Sequence, residues 1–327
     1  MTITDEWRPS ASLPMLEQRA KLFAAIRQFF QQRQVLEVDT PLLASAGVTD
    51  VHLENLITEL SGDTIASARQ LYLQTSPEYA MKRLLAAYPR CIYQLGKVFR
   101  NDEQGRLHNP EFTLLEWYRI GFDDQQLMLE VDDLLQNCVG LPAARRVSYQ
   151  QAFIEVLGVD PLTAEGIAQL RQRLLADARY SGWINATSDA DTLLQVAMAE
   201  WVEPVIAQQQ PVAIYHFPAS QASLARLDQD DPRVARRFEF FYRGVELANG
   251  FYELTDAAEQ AQRFAADNQA RQARGLATKK IDERLLASLR AGLPDCAGVA
   301  LGVDRLLMLI SKAEHIAEVL PFAIDRA

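Results

Sequence analysis

Excess positive charge is missing from this chain. Its 327 residues hold 33 Lys and Arg against 43 Asp and Glu, a net charge of −10. Proteins that grip nucleic acid by its phosphates usually present a basic face, because counterion release dominates that affinity. The balance therefore argues against a nucleic-acid acceptor. Cysteine is scarce as well: Cys91, Cys138 and Cys296 are far apart, odd in number and form no C-x-x-C. That excludes a disulfide framework and a thiolate metal site, and reads as buried thiols in a reducing compartment. No apolar run is long enough to cross a bilayer. The polar stretch Met1 to Pro9 lacks the hydrophobic segment of a secretory signal. A cytoplasmic protein with no membrane contact is expected. His52, His108, His216 and His315 show no H-E-x-x-H or other ligand spacing, and each is expected to be structural.

What is present is ordinary in bulk, with 49% hydrophobic and 23% charged residues, enough apolar surface for a large core. Leu16, Ala20, Phe23, Ile26 and Phe30 recur at helical spacing. Pro77 opens a helix through Leu85, and Asp123 to Val139 is a helix ended by Gly140-Leu141-Pro142. Strands are expected at Gln70 to Gln74, Ile92 to Phe99, Phe112 to Tyr118, Val212 to Phe217, Phe238 to Arg243, Val245 to Tyr252 and Val299 to Leu301. A helix is expected at Ala257 to Arg274, and another from Asp304. Residues 148–210 carry several helical stripes and form a helical excursion within one catalytic domain spanning 1–327.

The most informative stretch is Phe99-Arg100-Asn101-Asp102, closing with His108-Asn109-Pro110-Glu111-Phe112-Thr113. The polar, glycine-containing segment between them reads as a hairpin loop. It places an arginine, which keeps its charge, where a planar fork of donors grips phosphate. A second arginine follows in Gly302-Val303-Asp304-Arg305. Fixed cations on two sides suit in-line attack at an α-phosphate, whose transition state spreads negative charge. A cation is disfavoured at the start of a helix, so Arg305 calls for an anionic partner such as a γ-phosphate. The structural alternatives are an Arg100–Glu103 pair and an Arg305–Asp304 pair.

These residues resemble motifs 2 and 3 of the class II aminoacyl-tRNA synthetases, and within them the lysyl branch. Val35-Leu36-Glu37-Val38-Asp39-Thr40-Pro41 resembles motif 1. The pattern continues in Thr75-Ser76-Pro77-Glu78, Arg237-Phe238-Glu239, Val245 to Leu254 and Gly298 to Arg305. The resemblance implies an α+β fold, a mostly antiparallel sheet flanked by helices, and a homodimer built through motif 1. It implies ATP bound by Arg100, Asn101, Asp102, Asn109, Phe112, Glu246, Leu247, Gly302 and Arg305. Arg100 and Arg305 would be catalytic, and Phe112 and Arg305 would cover the two faces of adenine. A lysine-like substrate would be held by Ser76, Pro77, Glu78, Tyr118, Glu253 and Ala300.

Glu239, Glu246 and Glu253 recur at intervals of seven. Acids beside a triphosphate repel it unless a divalent metal intervenes. The resemblance makes Glu239 and Glu246 Mg²⁺ ligands, and turns Glu253 toward the distal ammonium. Three exposed strand carboxylates are the plainer reading. Two positions depart from the lysyl pattern. Asp102 stands where Glu is usual and is one methylene shorter, which bears on adenine recognition. Ala300 stands where Gly is usual, which bears on amino-acid specificity.

Motif 1 begins at Val35, leaving no room ahead of it for a five-stranded anticodon-binding barrel. The chain thus resembles the freestanding paralogues of lysyl-tRNA synthetase. That resemblance implies a protein acceptor, a lysine of elongation factor P, and lysine or (R)-β-lysine as the group transferred, with no tRNA. Two rival functions stay open: a minimal synthetase that loads tRNA or another carrier, and a non-catalytic synthetase-like regulator.

Overall fold

The computed structural model describes residues 7–62, 69–101 and 103–327. Its strands are β1 (Leu36–Glu37), β2 (Leu43–Ala44), β3 (Ile57–Leu60), β4 (Arg69–Leu73), β5 (Ile92–Phe99), β6 (Glu111–Ile120), β7 (Arg145–Ser148), β8 (Val212–Pro218), β9 (Val234–Tyr242), β10 (Val245–Tyr252) and β11 (Cys296–Gly302). Its α-helices are α1 (Leu13–Gln32), α2 (Glu78–Ala87), α3 (Asp124–Val139), α4 (Tyr149–Leu157), α5 (Ala164–Ala176), α6 (Ala190–Ala197), α7 (Glu203–Ile206), α8 (Ala257–Ala273), α9 (Glu283–Gly292) and α10 (Val303–Ser311). The chain divides into two compact units, one of Met1–Phe122 with Leu254–Ala327, the other of Asp123–Glu253.

In the first unit β1 runs parallel to β5, β5 antiparallel to β6, and β6 antiparallel to β11. The helix α1 forms because Ser12 caps it, its Oγ accepting from Met15 N, and because Leu22, Ile26, Phe29 and Phe30 fall on one buried face. Phe30 stacks on Tyr93 of β5 with centroids 4.3 Å apart and meets Trp117 of β6 edge-on at 5.4 Å. One face of the β5–β6 ribbon is thereby sealed. A second, antiparallel sheet of β2, β4 and β3 lies in the same unit.

In the second unit β7 runs parallel to β8, while β8, β9 and β10 are antiparallel. The residues joining β9 to β10, Arg243 and Gly244, have φ of 51° and 71°, the left-handed pair that a two-residue hairpin needs. The helix α3 starts in a capping box, Asp123 with Gln126, and stops at Gly140 with φ 71°. The helical excursion expected at 148–210 contains α4 to α7, whose Tyr149, Phe153, Leu170 and Leu194 bury against Ile214 and Phe241 of the strands.

The expected elements are present with shifted ends: β9 begins at Val234, four residues before Phe238, and β11 at Cys296. Among the strands and α-helices of the described residues, α9, the two-residue strand β2, the short parallel strand β7, and β3 were not anticipated; the residues of β3 are exposed throughout and so show no alternation.

Candidate active site

Side chains alternate across a strand. The face of β5–β6 that points away from Phe30 therefore carries Gln94, Gly96, Leu114, Glu116 and Tyr118. The register adds Gly298, Ala300 and Gly302 of β11, opposite Tyr118, Glu116 and Leu114. Three glycines and an alanine leave the backbone of this face open to close approach.

Beyond β5 the hairpin closes on itself, with Gly105 N donating to His108 O at 3.1 Å and His108 N to Gly105 O at 3.2 Å. Arg100 sits at its mouth. Its backbone N donates to Pro110 O at 2.9 Å, and the next amide, Asn101 N, donates to Glu54 O at 2.8 Å. Its guanidinium lies over the Phe112 ring at 5.2 Å and its Nη1 is 3.6 Å from Glu103 Oε1. Its Nε is buried and has no hydrogen-bond partner among the described residues. A buried charged donor left open is costly, and calls for a physical reason. Asp102 lies outside the described residues.

Asn101 is held through Glu54. Burial would raise the Glu54 carboxyl pKa, but hydrogen bonds and charge from Lys279 and Arg271 outweigh it and hold the pKa below its ordinary value. Both cations are themselves buried, and Arg271 Nη2 stands 2.6 Å from Glu54 Oε2. Asn109 spends both ends of its amide on backbone, Nδ2 to Glu111 O at 2.6 Å and Oδ1 from Ile324 N at 3.0 Å.

Arg305 lies in the first turn of α10 without Asp304 as its partner. Asp304 is buried and accepts from Arg19 Nη1 at 2.5 Å and from Thr113 N at 2.6 Å, while Arg19 Nη2 donates to Thr113 Oγ1 at 2.6 Å. This bolt fastens the start of α10 to β6. Arg305 is left to reach the hairpin loop, with Nε 3.3 Å from Leu107 O and Nη2 2.6 Å from His108 Nε2. Arginine only donates, so His108 Nε2 must accept here and the ring proton belongs on Nδ1.

On the open face of the same ribbon Glu116 is buried, accepting from Ser76 Oγ at 2.7 Å and from Tyr118 OH at 2.8 Å. Ser76 Oγ also accepts from Glu78 N at 3.0 Å. Pro77 is the N-cap of α2. Glu78 opens that helix, where an acid is favoured, and its Oε1 accepts from the buried Lys82 Nζ at 2.7 Å. Ser76, Glu78, Glu116, Tyr118 and Ala300 thus form one cluster on this face.

The second unit gathers acids. A β-bulge between Glu246 and Ala248 leaves Leu247 with no partner on β9. Before the bulge Glu246 pairs with Phe241, and after it Asn249 pairs with Glu239 and Phe251 with Arg237. The extra residue thus brings Glu246 onto the face of Glu239 and Asn249. Arg237 forms an ion pair with Glu239 and donates Nη1 to Gln221 O at 2.7 Å. Among the described residues the buried atoms Arg237 Nε, Asn249 Oδ1 and Tyr149 OH have no hydrogen-bond partner. Burial, with Glu239 adding its charge, pushes the Tyr149 phenol pKa well up. Glu253 is buried, its backbone carbonyl accepting from Arg226 Nε at 2.6 Å. Among the described residues no three His, Cys, Asp or Glu side chains gather as a metal cage.

A family model for class II tRNA synthetases of the D, K and N type matches residues 5–326. The chain belongs to this family. Class II synthetases activate an amino acid with ATP, and the matched span takes in the whole second unit and all of the first except its terminal residues. A curated relative, the elongation factor P–(R)-β-lysine ligase of Edwardsiella ictaluri (strain 93-146), is 56% identical over 321 residues, covering 98% of each chain. No helix among the described residues is long and apolar enough to cross a membrane. The α+β fold expected from the motifs is the fold of this class II family. The Lys82–Glu78 ion pair, the hydrogen bonds that Ser76 and Tyr118 make to Glu116, and the His108 contact with Arg305 were not anticipated from the sequence. Nor was a role for Asn249, although Asn249 stands inside the stretch that resembles the lysyl pattern.

Proposed function

We propose that this class II protein is an ATP-dependent ligase that activates (R)-β-lysine and transfers it to a lysine side chain of elongation factor P. The observation that carries the chemistry is Arg100, a half-buried guanidinium whose buried Nε is an open donor among the described residues, at the mouth of the motif 2 hairpin. In the first step the substrate carboxylate attacks the α-phosphorus of ATP, and pyrophosphate leaves with the bonding pair. Arg100 and Arg305 hold and neutralise the oxygens that gain charge. In the second step the ε-amine of the acceptor attacks the carbonyl carbon, AMP leaves, and an amide forms. No nucleophile of the enzyme is consumed.

Glu78 and Tyr118 supply the recognition of an ammonium group of the substrate, and Ala300 narrows the space beside Glu116. Glu239 and Glu246, two carboxylates on one strand face, fit Mg²⁺, which takes few protein ligands and completes its octahedron with phosphate and water. The ion would neutralise phosphate charge between these acids. The acceptor and the β-amino acid are supported by the name and 56% identity of the curated relative, and the net charge of −10 speaks against tRNA. A homodimer through motif 1 is supported by exposed Leu36, Leu42, Leu43, Ile57 and Leu60 on β1, β2 and β3 and the adjoining turn.

The test is incubation of the protein with ATP, each lysine isomer, and either elongation factor P or tRNA, followed by mass spectrometry. The expected result is an ATP-dependent adduct on a lysine of elongation factor P, larger in yield with (R)-β-lysine. Adducts on tRNA alone would overturn the reading.

A further inference from the structure

Between the two arginines stands a carboxylate with no part in the chemistry above. Glu103 Oε1 lies 3.6 Å from Arg100 Nη1, and its Oε2 lies 3.9 Å from His108 Nε2, the atom that takes a hydrogen bond from Arg305. His108 Nε2 already accepts there, so it donates nothing to Glu103, and the carboxylate is held by charge rather than by hydrogen bonds. Its side chain is 25% exposed and that of Arg100 26%, so the pair is neither buried nor fully screened. Arg100 still keeps Nε without a partner among the described residues, which means Glu103 occupies one side of the fork only.

We infer that Glu103 is an internal anion that competes with the nucleotide's phosphates for Arg100, and so sets ATP affinity from the hairpin loop. A triphosphate that engages Arg100 and Arg305 enters the space beside this carboxylate. Either the carboxylate swings out or two anions share one cation. Both weaken binding by about the strength of a partly exposed ion pair, which is small. Removing the charge should therefore tighten ATP without changing the reacting groups. The inference rests on the reading of Arg100 as a phosphate ligand.

The experiment is a double-mutant cycle on the whole protein: wild type, Glu103→Gln, Arg100→Ala and the double variant. The dissociation constant of MgATP is measured by calorimetry, and KM and kcat by amino-acid-dependent pyrophosphate exchange. The expected result for Glu103→Gln is a dissociation constant about three- to fivefold lower, with kcat within about twofold of wild type. The gain should vanish on the Arg100→Ala background. An unchanged or raised dissociation constant in Glu103→Gln, with Arg100→Ala crippled, overturns the inference and leaves the site reading intact. If Arg100→Ala itself binds MgATP like wild type, the site reading falls and the inference with it. A gain from Glu103→Gln that persists on the Arg100→Ala background shows a general charge effect and also overturns the inference.

Discussion

Arg100 and Arg305 are cations placed by backbone pairing: strand register sets β5 against β6 and β6 against β11, and the Arg19–Asp304 bolt fixes the helix that carries Arg305. Glu239 and Glu246 are anions placed by a defect, the bulge at Leu247, without which Glu246 would point to the opposite face. The first unit pairs Glu78 with Lys82, Asp304 with Arg19, and Glu54 with Arg271 and Lys279, and among the described residues leaves Arg100 Nε open. The second leaves the open ends of Arg237, Asn249 and Tyr149 on the face of its acids. Regular register fixes a donor rigidly. An irregular strand brings together side chains that the alternating period would separate.

The largest effect should come from the cationic side. Arg100→Ala is expected to reduce amino-acid-dependent pyrophosphate exchange by about 10²- to 10³-fold, as loss of one preorganised donor does. The melting temperature should stay close to wild type, since among the described residues the side chain makes one loose ion pair and one ring contact. Exchange within a few-fold of wild type would dissolve the contrast by making the cation dispensable.

Ala300→Gly sharpens the comparison inside the first unit. Ala300 is directly opposite Glu116 across the strand pair, so its methyl adjoins the carboxylate that Ser76 and Tyr118 hold. A methyl-sized change in a pocket shifts discrimination by about 10- to 200-fold. The ratio of kcat/KM for α-lysine over (R)-β-lysine should rise in the glycine variant. A ratio that does not move would assign Ala300 to strand packing alone.

The acidic side should respond more gently and in a different variable. Glu246→Gln is expected to lower exchange by roughly tenfold at limiting Mg²⁺, with the deficit narrowing as Mg²⁺ rises. Superimposable Mg²⁺ titrations of variant and wild type would remove the metal role and leave the bulge as a feature of the fold only.

The sequence by itself determined the elements and the motifs. Periodicity marked α1, and Asp123 and Gly140 marked the ends of α3, because such signals act between near neighbours. The strands of motifs 2 and 3 were legible for the same reason: a dense run of β-branched, aromatic and alternating residues is a local signal. The order of Arg100, Glu239, Glu246 and Arg305 along the chain was enough to point to the family. Partners at long separation were not legible. Asp304 stands next to Arg305 in sequence yet bonds Arg19, 285 residues away. The strands β7 and β3 gave no periodic signal, being short or wholly exposed. Which carboxylate is neutralised, which face Glu246 occupies after the bulge, and which loop carbonyl Arg305 reaches were decided by tertiary packing. Charge pairing and strand register are properties of groups that meet only when the chain is folded, and no local pattern encodes them.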